Sequence, residues 1–451
     1  MNAESSPRRV LTASIATLGC KLNQAESYRL QVDLACAGVD VLPFGEVVDL
    51  SIVNTCTVTH SADQQARQLL RRARRISPGS CVVAMGCYAQ IAPDEVRAVE
   101  GVDIVVSADK ERLVQQLEAF GLQLGESAEL DDGLAAGPDR RVPLPASRVR
   151  QFVKVQDGCD DYCTYCIVPF ARGHSLSRGP DDIVSEVHSL VERGCREIVL
   201  TGVQIGAYGR DRYAMGGRDL PAPGAPLATL VRRLLAETAL GRIRISSIQP
   251  QDWPDDFLEL FEDRRLCRHL HLPLQSGCDA TLRRMARRYT TAQFSTLVDR
   301  VRDAMPDVAI TADMIVGFPG ERAADHAESL AFARMVGFAG VHVFRYSPRR
   351  GTAAARMRGQ VSPDVKKERS EELRRAADEM AASYRHHFLG TTRSVLWEEE
   401  LDAELTTGER RWTGLTDNYL RVETLSADDL LGKLSEVCLR DHEGERFRVA
   451  L

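Results

Sequence analysis

Two series of short apolar runs, each followed by a helix-length amphipathic segment, constrain this chain more than any other feature. The first series spans Ser14 to about Phe120. There "SIATLG" precedes "LNQAESYRLQVDLACAG", and "VVDLSIVNT" precedes "SADQQARQLLRRARR". "CVVAMG" then precedes a helix opening near Pro93, and "VDIVVS" precedes "DKERLVQQLEAF". Four strand-then-helix units predict an open parallel sheet covered by helices. The second series starts at Gln151, with strands expected at "FVKVQ", "EIVLTGV", "RIRISSI", "HLHLPLQ", "ITADMIVGF" and "GVHVFRY". Six such units without a hairpin pattern predict a partial parallel barrel, because a closed one takes eight.

The fold class expected is therefore α/β, in three parts. An N-terminal α/β domain covers 12–120. A linker rich in Gly, Pro, Ala and charge covers 121–148. The partial (βα)6 barrel covers 149–385, ending in the charged helix "PDVKKERSEELRRAADEMAASYRHHFLG". Short alternating runs over 386–451 predict a small all-β module. A chain of 451 residues has room for these parts, since one hydrophobic core seldom grows past roughly 250–300 residues.

Composition narrows the setting. The chain is 44% apolar and 27% charged, values of an ordinary globular protein. No apolar run reaches the roughly 20 residues of a membrane span. The N-terminus has no basic segment followed by a long apolar core, so a cytoplasmic location and no membrane partner are expected. In a reducing compartment the 12 cysteines stay thiols unless they bind metal or do chemistry.

Three of them, Cys159, Cys163 and Cys166, form C-x3-C-x2-C directly after the first barrel strand. Loops at strand C-termini line active sites in parallel α/β folds. Structural zinc usually closes with four ligands, often in C-x2-C pairs, and no second pair lies nearby. Iron–sulfur clusters are also held by thiolates, and three ligands on a cubane leave one iron open. Three more, Cys20, Cys56 and Cys87, each sit just past the end of a predicted strand of the N-terminal domain. In an open parallel sheet those ends share one edge, where ligands bind. Gly19 and Gly86 precede two of them and suit close backbone approach to a bulky centre. Cys81 enters its strand at the opposite end and reads as packing. So do Cys36, Cys195, Cys267, Cys278 and Cys438.

The trio with Tyr165 as its aromatic resembles the radical S-adenosylmethionine enzymes. The flanking words "LGCKLNQAES", "VNTCTVTHSAD", "GCYAQ", "DGCDDYCTYCIVPFARG", "HLHLPLQSG", "DMIVGFPGE" and "VFRYSPRRGTAAA" resemble, more narrowly, the methylthiotransferases. "CKLNQ", "NTCTVT" and "RRYT" are most similar to the branch acting on threonylcarbamoyladenosine beside the tRNA anticodon. This resemblance implies two [4Fe–4S] clusters, one on Cys159, Cys163 and Cys166 and one on Cys20, Cys56 and Cys87. It implies that the open iron of the first binds S-adenosylmethionine, which one electron cleaves to a 5′-deoxyadenosyl radical. It implies a methylthio group placed on adenine C2, a tRNA substrate, an external electron donor, a sulfur source and a monomer. The C-terminal module resembles the family's RNA-binding TRAM domain.

Thr201, Gly202, Gln275 and Asp313 end or approach predicted strand C-termini, and with Tyr165 they are the candidate cofactor contacts. No side-chain acid or base is assigned to catalysis. Gln249 stands where an acidic residue is common in the family, and Cys278 where serine is. The basic runs "RQLLRRARR", "RRMARR" and "SPRRGTAAARMR" are candidate RNA contacts; Arg67, Arg71 and Arg75 share one helix face. Residues 391–451 carry 8 Lys and Arg against 14 Asp and Glu, an awkward charge for an RNA clamp. Their Trp397, Trp412 and Tyr419 are candidates for base stacking or for the core. The alternatives are the same chemistry on isopentenyladenosine tRNA or on a ribosomal protein side chain, and a non-enzymatic, metal-stabilised RNA-binding protein.

Overall fold

A computed structural model describes residues 8–107, 112–124, 149–215, 222, 224–254, 256–401 and 409–451. The expected linker lies, from residue 125 onward, outside the described residues. The chain packs as two compact units. The first holds the N-terminal part of the chain with Gly158–Asp160 and Cys166–His174. The second holds residues 149–157, Asp161–Tyr165 and the described residues from Ser175 to the C-terminus.

In the first unit, five parallel strands lie in the order Asp40–Leu42, Thr12–Thr17, Leu50–Thr55, Cys81–Gly86, Ile104–Val105. The first strand in sequence thus has the second on one side and the third on the other. That reversal is the switch point where doubly wound sheets bind ligands. Leu50–Thr55 and Cys81–Gly86 are buried along their whole length, as strands covered on both faces must be. Their residues alternate between two cores. Cys81, Val83 and Met85 pack with Leu30, Leu34 and Leu117 on one face. Val82 and Ala84 pack with Ala66, Leu70 and Val96 on the other.

The second unit contains the six barrel strands. Arg150–Lys154, Glu197–Thr201 and Arg242–Ile245 form one parallel sheet, and His269–His271, Ala309–Val316 and Gly340–Arg345 another. Parallel bridges Ile243–Leu266 and Ser247–His271 join them, so the six run in sequence order around a partial barrel. The 25-residue helix Pro363–His387 then starts from Ser362, whose side chain accepts from the Val365 amide at 3.4 Å.

The C-terminal module is a six-stranded sheet. Trp397 and Trp412 are both buried in its core, which decides for packing over stacking on bases. The module docks on the strand-start end of the barrel through buried charge. Arg242 donates to the carbonyls of Leu415 (2.9 Å) and Ser394 (2.5 Å), and Arg244 to those of Thr416 (3.2 Å) and Asp417 (3.1 Å). Between these arginines sits Glu197, fully buried, 3.0 Å from Arg244, 3.8 Å from Arg150 and 3.9 Å from Arg242. Burial alone would raise its pKa, but the arginines outweigh burial and hold it below the usual carboxylate range. Tyr419, at φ +70°, stacks on His269 with ring centroids 4.0 Å apart.

Candidate metal centres and barrel site

Cys20, Cys56 and Cys87 all stand at the C-terminal ends of neighbouring strands in the first unit. Cys20 is the N-cap of helix Lys21–Cys36 and is exposed. Cys56 follows Leu50–Thr55, and Cys87 opens the helix Cys87–Ile91; both are buried. Burial pushes the Cys56 thiol up to about 11, with smaller upward contributions from Cys87 and Cys20, so both of those sulfurs lie within electrostatic reach of Cys56. A centre that binds them must displace their protons.

The backbone makes room for this gathering. Gly19 takes φ +98°, and a Cβ there would meet Cys56 Cβ at 2.8 Å and Sγ at 2.9 Å. Gly86 takes φ +97°, and its Cβ would meet the Thr55 carbonyl at 2.4 Å. The edge is braced by Asn23, whose amide donates to the carbonyls of Leu18 (2.7 Å) and Thr55 (3.2 Å). The Cys20 thiol reaches the Asn23 Oδ1 at 3.8 Å. Three thiols beside a glycine-lined backbone fit a thiolate-bound cluster.

The same network takes in the helix that follows the cysteine trio. Val168–Arg172 belongs to the first unit. Arg172 donates to Asn23 Oδ1 at 2.5 Å and to Glu26 Oε1 at 2.7 Å. This ion pair is buried, with side chains 3% and 8% exposed.

The trio itself lies in the eight-residue stretch Cys159–Cys166. Gly158 (φ +67°) turns the chain into it so closely that a Cβ would strike the His174 carbonyl at 1.9 Å. The Cys159 amide donates to Gly173 O at 3.1 Å. In the second unit, Thr164 is held on both sides: its amide donates to Met285 O and its carbonyl accepts from the Ala354 amide. Tyr165 packs against a small core of Met285, Phe318, Tyr346 and Ala354, with partly buried Ile315 beside it. Three thiols within eight residues of sequence, leaving one iron without a protein ligand, are a donor set that fits a cubane cluster.

The remaining candidates separate into two places. Thr201 is buried, and its carbonyl accepts from Val155. Gly202 lies against Gln156, 2.9 Å from where a Cβ would be. Gln156 Oε1 in turn accepts from the Gln204 amide. Gln275 and Asp313 meet across the barrel's fourth and fifth strands, where the Gln275 amide donates to Asp313 O at 2.7 Å. Gln275 takes φ +63°, a strained choice for a non-glycine residue that favours functional positions.

Arg287 lies in the basic run "RRMARR" and in the family word "RRYT", and neither singles it out. Its Nη1 stands 3.4 Å from Cys163 Sγ, another nitrogen donates to Gln249, and it lies over the Tyr289 ring. Burial would lower its pKa, but Tyr289, Tyr165 and Cys163 together raise it well above the usual arginine value. Gln249, the residue that departs from the family's acidic position, is thus the partner of this cation. Cys278 is buried at the N-cap of Asp279–Arg284.

A six-stranded parallel partial barrel whose first strand runs into C-x3-C-x2-C defines the class: a radical S-adenosylmethionine enzyme. Residues 153–333 match the Radical SAM superfamily, and residues 12–107 match a family described as uncharacterized protein family UPF0004. The radical S-adenosylmethionine methyltransferase TsrM from Kitasatospora setae shares the fold at a TM-score of 0.52 and 15% identity, over 75% of this chain and 77% of its own. Among curated relatives, the threonylcarbamoyladenosine tRNA methylthiotransferase of Bacillus subtilis is 36% identical over 94% of this chain and 93% of its own. That of Thermotoga maritima is 37% identical over 86% of each. The tRNA-2-methylthio-N(6)-dimethylallyladenosine synthase of a Parafrankia strain is 39% identical over 81% of this chain and 74% of its own. The chain belongs to the radical S-adenosylmethionine methylthiotransferase family, a family of transferases. Membership implies S-adenosylmethionine and a [4Fe–4S] cluster.

Proposed function

We propose that this chain adds a methylthio group to adenine C2 of threonylcarbamoyladenosine next to the tRNA anticodon, and that it carries two [4Fe–4S] clusters. The observation that carries the reading is the pair of cysteine sets. One lies on a single loop and the other is assembled from three strand ends, within a chain that matches the Bacillus relative over almost its whole length. Cys159, Cys163 and Cys166 would hold one cluster, and Cys20, Cys56 and Cys87 the other. When bound, the clusters supply reductive cleavage of S-adenosylmethionine and a site for the sulfur to be transferred.

The chain's own residues position and insulate. Tyr165 keys the trio's loop into the barrel core. Thr201, Gly202 and Gln275 stand at strand ends where a cofactor's polar groups would lie. Arg287 places a half-buried positive charge beside Cys163, which favours the thiolate and offers a partner for an anionic cofactor group. Asp313, an expected cofactor contact, has its carboxylate turned to His271, 3.3 Å away.

The partners proposed are tRNA, an external electron donor and a sulfur source, with the protein a cytoplasmic monomer. Among the described residues, no helix is long and apolar enough to cross a membrane. The test is mass spectrometry of tRNA nucleosides from a strain lacking the gene. Loss of methylthio-threonylcarbamoyladenosine is expected, and its unchanged level would refute the assignment. The Parafrankia relative favours one second reading, dimethylallyladenosine as the substrate. In that case the corresponding methylthio nucleoside disappears instead.

A further inference from the structure

Among the described residues, the barrel holds a group of three metal-type ligand side chains that the cysteine chemistry does not use. His271, Asp313 and His342 come from three adjacent parallel strands, and their ligating atoms all lie within 4.8 Å of one another. The register explains the grouping. His271 is opposite Thr311, and Asp313 is opposite His342, so the three side chains share one face of the sheet.

That face is the barrel interior. Along Ala309–Val316, Ala312, Met314 and Val316 are buried, whereas Asp313 and Ile315 are only partly so. Ile315, two residues beyond Asp313 on the same face, packs in the core that holds Tyr165 of the cysteine loop. Access falls off with depth. His342 sits on the last strand and is exposed, Asp313 is 29% exposed, and His271 is buried.

The inner end is fixed. His271 Nε2 is 3.3 Å from Asp313 Oδ2, and its Nδ1 is 3.0 Å from Thr311 Oγ1. Its ring centroid is 5.9 Å from that of His342. Acceptor and donor positions are therefore held side by side on rigid strands, as a recognition site requires.

We propose that His271, Asp313 and His342 form the pocket that recognises the polar N6 substituent of the target adenosine. This deepens the proposed function and rests on it. A threonylcarbamoyl group carries a carboxylate, a hydroxyl and two ureido N–H groups. Asp313, held by His271, accepts from the hydroxyl or a ureido N–H, and the His342 imidazole donates to the carboxylate. A dimethylallyl group offers no hydrogen bond. Burying it here strips water from an Asp–His pair and returns nothing, so the same residues that bind one substituent reject the other.

The test uses full-length enzyme, reconstituted anaerobically, and three anticodon stem-loop RNAs. They differ only at the target adenosine, which carries threonylcarbamoyl, dimethylallyl or nothing. Wild type is expected to bind the threonylcarbamoyl RNA roughly tenfold or more tighter than the bare one. In His342→Phe that preference falls to about twofold while the affinity for bare RNA holds, and His342→Gln restores part of it. Iron content and bare-RNA affinity show that each variant is folded. A wild type that prefers the dimethylallyl RNA overturns the functional reading and this one with it. A wild type that prefers threonylcarbamoyl while His342→Phe keeps the whole preference overturns this one alone. So does a stoichiometric divalent metal other than iron that wild type holds and His342→Phe loses, since the cluster would then be a metal site.

Discussion

The open sheet and the barrel solve one problem in opposite ways. Under the proposed function, each presents three thiols at the C-terminal ends of parallel strands. The loop that follows the first barrel strand carries all of them within eight residues, so their spacing is written into the local chain. The sheet draws Cys20, Cys56 and Cys87 from strands separated by 67 residues of sequence, and only its strand order brings them together. A loop-borne site depends on a turn; a sheet-borne site depends on the whole fold around it. The second kind should be the more fragile to changes that never touch a cysteine.

The largest expected effects come from the thiols themselves and test whether the two sets are independent. Cys163→Ala should abolish S-adenosylmethionine cleavage and remove about half the bound iron, given two equal clusters. Cys56→Ala should remove a similar share but leave cleavage in the absence of tRNA measurable. Iron analysis with quantification of 5′-deoxyadenosine separates them, and loss of all iron in either variant would break the comparison.

Next comes Arg172→Met. It leaves Glu26 buried without its partner, a change that costs roughly 3–5 kcal/mol. Chemical denaturation should register it, with iron lost from the sheet-borne set. Gly19→Ala is expected to cost about 1–3 kcal/mol through a strained backbone and to displace Cys56. Gly173→Ala, at φ +77° with nothing within 4 Å of its Cβ, should cost only about 1 kcal/mol. Equal melting temperatures for these two glycine variants would contradict the crowding described at Cys56. The smallest effect is expected for Cys81→Ala, a packing change of about 1 kcal/mol with iron content unchanged.

Much of this architecture was legible because period-2 and period-3.6 patterns repeat along the chain. The strand-end positions of Cys20, Cys56 and Cys87 follow directly from those patterns, and so does the placing of Cys81 in a core. What stayed hidden depends on side chains that meet across long stretches of sequence. Arg287 reaches Cys163 from 124 residues away, and Arg172 reaches Glu26 from 146. Neither contact leaves a periodic trace, and an arginine within "RRMARR" looks like part of any solvated basic run. The grouping of His271, Asp313 and His342 was equally invisible, since it depends on strand register, which no local pattern specifies. The aromatic residues of the C-terminal module could be read as core or as stacking platform, and only burial decides between the two.

The docking of that module also bears on how freely it could be exchanged. Leu415, Thr416 and Asp417 lend backbone carbonyls to Arg242 and Arg244, and Tyr419 covers His269. The module is the floor of the barrel as much as an appendage to it. A chain cut before residue 390 would open a cluster of charges to water from below, and a transplanted module would need matching carbonyls to seal it. Inheritance of the two parts as a single piece is the expected outcome.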